Sequence, residues 1–121
     1  MITVLVADDH EVFRWGLVRV LSMEPGIIVV GEVADAPTAV RAAADLDPDV
    51  VLLDLSMPGD SWSALEQILA RRPARRVVIL SADDDEQTVA QARRAGAFAH
   101  VSKAASPSHL LQVLHRTTAP T

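Results

Sequence analysis

The chain has 121 residues, no cysteine and a formal net charge of -5. That length suits one domain able to bury roughly two thirds of its unfolded surface unaided, and without cysteine there is neither a disulfide framework nor a thiolate metal site. Eleven basic residues against sixteen acidic ones argue against nucleic-acid binding by this segment alone, because phosphate backbones are held by clustered Lys and Arg.

The run Ile2 to Ala7 reads as a strand beginning almost at Met1. It lacks the basic start and long apolar stretch of a signal peptide, and no later run approaches the roughly 20 apolar residues of a membrane span. A cytoplasmic setting without a membrane partner is therefore expected. Val12, Phe13, Leu17, Val20 and Leu21 recur at helical spacing and predict an amphipathic helix ending before Pro25 and Gly26. A second strand, Ile27 to Val33, leads to Asp35 and Pro37, a capping carboxylate and a first-turn proline that open a helix reaching about Leu46. Asp47, Pro48 and Asp49 break it. Val50 to Leu53 is apolar without alternation, as a central strand covered on both faces should be.

The loop Ser56 to Ser61 contains Pro58 and Gly59, and a helix is predicted from about Ser63 to Arg72 with Leu65, Ile68 and Leu69 inward. Arg71, Arg72, Arg75 and Arg76 flank Pro73 at its end, where cations favourably face exposed carbonyls. A fourth strand, Val77 to Leu80, follows. Asp83, Asp84 and Asp85 open the next helix, which stops at Gly96. Phe98 to Val101 is the fifth strand. Ser106 and Pro107 start a last helix with Leu110, Leu111 and Leu114 inward, and residues 117–121 read as a tail or the start of a linker after a domain spanning 1–116.

Strands alternating with helices imply a parallel sheet, and five such units are too few for a closed barrel, so an open, doubly wound α/β sheet is expected. In such a sheet the carboxyl ends of the strands share one edge, where ligands bind. Asp8 and Asp9, Asp54, Ser81 and Lys103 each close a predicted strand. Three carboxylates held together repel unless a cation or protons intervene, and hard oxygen donors suit Mg2+. Lysine and a hydroxyl opposite such a site could each take an oxygen of a phosphoryl group in transfer. Asp54, leaving the central strand, is the best acceptor for covalent transfer, with Asp8 and Asp9 better placed to hold the ion directly or through water.

These residues carry a family resemblance over nearly the whole chain. V-L-V-A-D-D-H, V-V-L-L-D-L-S-M-P-G, V-V-I-L-S-A, A-G-A and V-S-K stand in the order and spacing of a response-regulator receiver domain, and D-D-H-E-V-F-R-W-G-L resembles its NarL/LuxR-type branch. The resemblance implies a flavodoxin-like (βα)5 fold with strand order 2-1-3-4-5. It implies that Asp54 accepts phosphate from a sensor histidine kinase, that Asp9, Asp54 and the Ser56 carbonyl ligate Mg2+, and that Asp8 acts through water. It further implies that Ser81 and Lys103 hold the phosphate, that Ala82 and Asp83 border its entry, and that Met57 and Pro58 shape the loop beneath. The product would be a signalling switch that catalyses its own phosphotransfer and autodephosphorylation rather than a metabolic enzyme. Its partners would be the kinase, a second copy in a homodimer, and DNA only through a C-terminal domain absent from this chain.

Three departures from the family pattern stand out. His100 occupies the place of the aromatic switch residue that usually acts with Ser81, and reads either as a modified switch or as a passive edge residue. Asp60, Ser61 and Trp62 replace the usual loop one residue short. Lys103 precedes Ala104 rather than proline, so an ordinary trans peptide is expected.

Simpler readings stand beside these. Singly, Asp8 and Asp9 could cap the first helix, Asp54 could form a turn, and Lys103 could be a solvated charge; jointly, five such residues at coordinated strand ends weaken that account. His10 reads as polar surface more readily than as a metal ligand beside Asp9. His109 and His115 look solvent-facing, and Trp15 and Trp62 are candidate contact or reporter residues. Two other functions fit less well: a Mg2+-dependent phosphohydrolase, for which the chain has no room for a covering domain, and an interaction module controlled without phosphorylation.

Overall fold

The structure, a computed structural model, describes residues 1–82 and 85–118. The expectations placed on Asp83, Asp84 and residues 119–121 lie outside them. Five strands, β1 (Ile2–Ala7), β2 (Ile27–Val33), β3 (Val50–Asp54), β4 (Arg76–Ser81) and β5 (Ala99–Ser102), alternate with α1 (Glu11–Ser22), α2 (Ala36–Leu46), α3 (Ser61–Arg71), α4 (Glu86–Arg94) and α5 (Pro107–Arg116). All pairings are parallel and the order is β2-β1-β3-β4-β5, the flavodoxin-like arrangement expected.

Alternation along each strand divides the core into two layers. Val4, Val6, Leu52, Val78, Leu80 and Val101 face Leu17 and Leu21 of α1 and Leu110, Val113 and Leu114 of α5. Leu5, Ala7, Val51, Leu53, Val77 and Ile79 face Ala39 and Ala43 of α2, Leu65 and Ile68 of α3 and Ala92 of α4. With both faces covered, every residue of β3 is buried, which is why its sequence shows no polar alternation.

The capping chemistry falls where the sequence puts it. Asp35, Asp85 and Ser106 accept hydrogen bonds from the backbone N–H of Thr38, Thr88 and His109, and Gly96 takes φ +100° just past α4. α3, however, starts at Ser61 rather than Ser63, because Asp60 Oδ1 accepts from Ser63 N at 3.1 Å and caps the helix two residues early. Trp62 consequently lies in the first turn of α3, half-buried against the α2 and α3 layer, and not in the loop. β5 begins one residue later than expected, at Ala99, and β4 one residue earlier, at Arg76. Val12, expected inward, is exposed, and Leu111 is only partly buried where Val113 is fully so.

Gly59 has φ +93°, and a Cβ there would come within 2.9 Å of Pro37 Cδ and 3.1 Å of Ala36 Cβ. The loop needs glycine on both counts. Beside it Pro58 O accepts from Ala36 N at 2.9 Å, so the loop after β3 is clamped to the start of α2.

The arginine group also finds different carbonyls from those expected. Arg72 Nη1 and Arg75 Nε donate to Pro48 O at 3.2 and 2.9 Å, and both guanidinium groups pair with Asp47 Oδ1 at 2.9 and 2.6 Å. These acceptors belong to the turn between α2 and β3, which is close in space, not to the end of α3. Arg76 lies over the Phe98 ring at 5.2 Å.

Candidate functional site

The crossover between β1 and β3 places Ala7 opposite Leu53 in the register, so the next residues, Asp8 and Asp54, emerge side by side. Asp54 pairs with Leu80, and Ser81 with Ser102, which brings the ends of β4 and β5 to the same edge. Lys103 N donates to Ser81 O at 2.9 Å and so holds its own side chain over that edge.

Both Asp8 and Asp54 are fully buried. Two ionised carboxylates taken out of water need compensation, and Lys103 provides it: Nζ lies 2.8 Å from Asp8 Oδ2 and 3.2 Å from Asp54 Oδ2. Among the described residues Asp8 Oδ2 accepts no well-aligned hydrogen bond in addition, so the ammonium is its partner there. The ammonium also sits over the Phe13 ring, 4.8 Å from the centroid. Arg14 Nη1 donates to the Asp8 carbonyl and Arg14 Nε to Glu32 Oε1, which tethers α1 to the rim.

Asp54 is further held by Ser56, whose backbone N–H and hydroxyl donate to Oδ1 at 3.2 and 3.0 Å, with the hydroxyl 3.1 Å from Oδ2. Burial pushes the Asp54 carboxyl upward, but the Ser56 N–H and the nearby Lys103 charge outweigh it and hold the group below the ordinary carboxylate value. Asp54 is therefore an anion at neutral pH. Asp9 is more exposed and completes the carboxylate group from the rim.

His10 is exposed, in keeping with its reading as polar surface, yet its ring also reaches this cluster. Its backbone N–H donates to Asp8 Oδ1 at 2.8 Å, which turns the chain back on itself and brings Nδ1 within 3.2 Å of Asp8 Oδ1 and 3.4 Å of Asp9 Oδ1. His10 is the N-cap position of α1 but its side chain makes no capping bond. The same bond removes the simple account of Asp8 as a helix cap. Adjacency to D-D was the only sequence signal available for His10, and it could not show that an exposed ring also reaches the carboxylates.

One ligand atom from each of Asp8, Asp9, His10 and Asp54 lies within 4.8 Å of all the others. Three carboxylates against a single ammonium leave the pocket net negative, and its donors are mainly hard oxygens, so the residues present fit a small divalent cation. Ser81 is buried at the adjoining strand end. His100 is not part of the cluster: it lines a separate cavity of about 270 Å³ with Arg93, Phe98, His109, Val113 and Arg116, and its Nε2 is buried without a hydrogen-bond partner among the described residues. The peptide after Lys103 is trans, as expected.

A two-layer (βα)5 sheet with an acidic, lysine-bearing pocket at the β1/β3 switch defines a receiver-type signalling domain. The response regulator receiver domain model matches residues 4–115, and the chain belongs to that family. It is 36% identical over 118 residues to the nitrate/nitrite response regulator protein NarL of Escherichia coli, covering 97% of this chain and 55% of that protein. The signal receiver domain of the putative response regulator NarL from Mycobacterium tuberculosis superposes with a TM-score of 0.91 at 34% identity, covering 98% of both chains. A CheX–CheY–BeF3–Mg2+ complex from Borrelia burgdorferi gives a TM-score of 0.91 at 26% identity, over 98% of this chain and 90% of that one. The chain is thus a receiver domain of the NarL/LuxR type, a signalling switch in class, and it spans about half the length of the curated relatives it matches. No helix among the described residues is long and apolar enough to cross a membrane.

Proposed function

We propose that this receiver takes a phosphoryl group onto Asp54 from a phosphohistidine of a sensor histidine kinase. The observation that carries the reading is the Lys103 ammonium shared between two buried carboxylates, Asp8 and Asp54, at the open end of the sheet. In the transfer an Asp54 oxygen forms a bond to phosphorus as the phosphorus–nitrogen bond of the donor breaks, the electron pair returning to the imidazole. The ionised state of Asp54 makes it competent without a separate base. Asp8, Asp9, Asp54 and the Ser56 carbonyl are the residues that would hold Mg2+, which when bound offsets the charge brought together by carboxylate and phosphate. Lys103 and Ser81 hold oxygens of the transferred group, Ala82 borders its entry, and Met57 and Pro58 support the loop beneath. Water attack on the acylphosphate, with the same residues in place, returns the domain to its resting state.

Output in this reading is a change at Ser81 and His100 passed to the rest of a longer regulator acting in the cytoplasm, through a homodimer and a DNA-binding domain outside this chain. The domain in this reading occupies residues 1–116, with the stretch from 117 as tail or linker. His100, in its own cavity beside α4 and α5, is the residue whose side chain would report the switched state. The test is beryllofluoride with Mg2+. It should shift Trp62 fluorescence and the amide signals around Asp54 in the parent chain and leave Asp54→Asn silent. A parent that stays silent while remaining folded overturns the proposal.

A further inference from the structure

Resting on the reading that this pocket holds a divalent cation, we propose that His10 supplies it with a nitrogen ligand through Nδ1. The pocket then favours a transition-metal dication such as Mn2+, Co2+ or Ni2+ over Mg2+ by more than its carboxylates alone would give. Nδ1 lies 3.2 Å from Asp8 Oδ1, 3.4 Å from Asp9 Oδ1 and 3.8 Å from Asp54 Oδ2. It therefore stands at the meeting point of the carboxylates.

A second contact bears on the same nitrogen. Lys103 Nζ lies 3.0 Å from Nδ1; an ammonium has only protons to offer, so a neutral ring protonated at Nε2 turns its Nδ1 lone pair to it, whereas a proton on Nδ1 would serve the Asp8 Oδ1 contact at 3.2 Å instead. The same ammonium touches Asp8 Oδ2 and Asp54 Oδ2 at 2.8 and 3.2 Å. Two oxygens and one imidazole nitrogen already surround a single positive charge. The ring is 60% exposed, so Nε2 can keep its proton in contact with water while Nδ1 acts as donor.

The chemistry sets the consequence. Mg2+ keeps its waters and gains little from imidazole, whereas Mn2+, Co2+ and Ni2+ accept nitrogen donors, with affinity rising along that series. The Asp8 Oδ1 bond to the His10 backbone N–H anchors the main chain that carries the ring beside the carboxylates.

The test uses the whole chain and reads the metal directly. Mn2+ bound to the parent should show nitrogen hyperfine coupling in pulsed electron paramagnetic resonance, and His10→Ala should lose it. Calorimetry on the same pair should give a Ni2+ affinity lower by about tenfold or more in His10→Ala, the least that losing even an outer partner of a metal ligand costs, with Mg2+ affinity little changed. Mn2+ bound without nitrogen coupling, or equal losses for Ni2+ and Mg2+, overturns the His10 assignment and leaves the phosphoacceptor reading intact. A folded parent that binds none of these ions overturns both.

Discussion

Ser61 Oγ donates a buried hydrogen bond to the Asp54 carbonyl at 2.9 Å, joining the first residue of α3 to the last residue of β3. The bond fixes the backbone of the candidate phosphoacceptor from below while Ser56 holds its carboxylate from above. Ser61→Ala strands a buried carbonyl, so unfolding free energy should fall by about 1 to 3 kcal/mol, measured by urea titration. Beryllofluoride affinity should fall with it, since the carboxylate loses its fixed base; a variant as stable as the parent would show that the bond is not formed in solution.

Lys103→Ala removes the cation that compensates two buried carboxylates. Breaking such a pair from one side costs on the order of 3 kcal/mol or more. In metal-free buffer the variant should melt well below the parent. Millimolar Mg2+ should then raise its midpoint by more than it raises that of the parent, because the added charge replaces the missing one. Equal shifts in the two proteins would contradict the compensation argument.

Gly59→Ala forces a side chain onto φ +93° and against Pro37 and Ala36. Strain of this kind costs about 1 to 3 kcal/mol. Because Pro58 O is bonded to Ala36 N, the disturbance should appear as amide shifts at the start of α2 as well as in the loop. Shifts confined to residues 58–60 would show the two segments to be uncoupled.

Asp47 gives a pH-dependent prediction away from the site. The Arg72 charge beside it, aided by the Arg75 hydrogen bond and opposed by partial desolvation, holds its carboxyl below the ordinary carboxylate value. A depressed folded value means the contribution is complete above the ordinary carboxylate range and is lost as pH falls through the lowered value. Asp47 has φ 49°, a conformation asparagine also tolerates, so Asp47→Asn removes charge with little backbone penalty. The parent should exceed the variant in stability at pH 7, and the gap should close towards pH 3. A gap that stays constant with pH would assign it to packing instead.

Much of the fold was legible because its signals are local. Apolar runs closed by Asp, Ser or Lys marked the strand ends, and Asp35, Asp85 and Ser106 marked helix starts through bonds reaching only three residues ahead. The same logic applied at Asp60 would have placed the start of α3 correctly; the short loop before it drew the boundary too late. Val12 was misplaced because helical spacing alone allows two neighbouring faces, and only packing against β-strand residues selects one.

By itself the sequence determined five parallel β/α units, their common edge and the set Asp8, Asp9, Asp54, Ser81 and Lys103 along it, since periodicity and capping depend on near neighbours. Tertiary structure alone decided what each of these side chains touches. The 45 residues between Asp8 and Asp54 and the 48 between Asp54 and Lys103 carry no record of a distance, and the placing of His10 at the rim follows from a bond to Asp8 that matters only once β3 and β5 have brought their charges beside it. Arg72 and Arg75 likewise found Asp47 and Pro48 rather than their own helix end, because chain folding put that turn within reach.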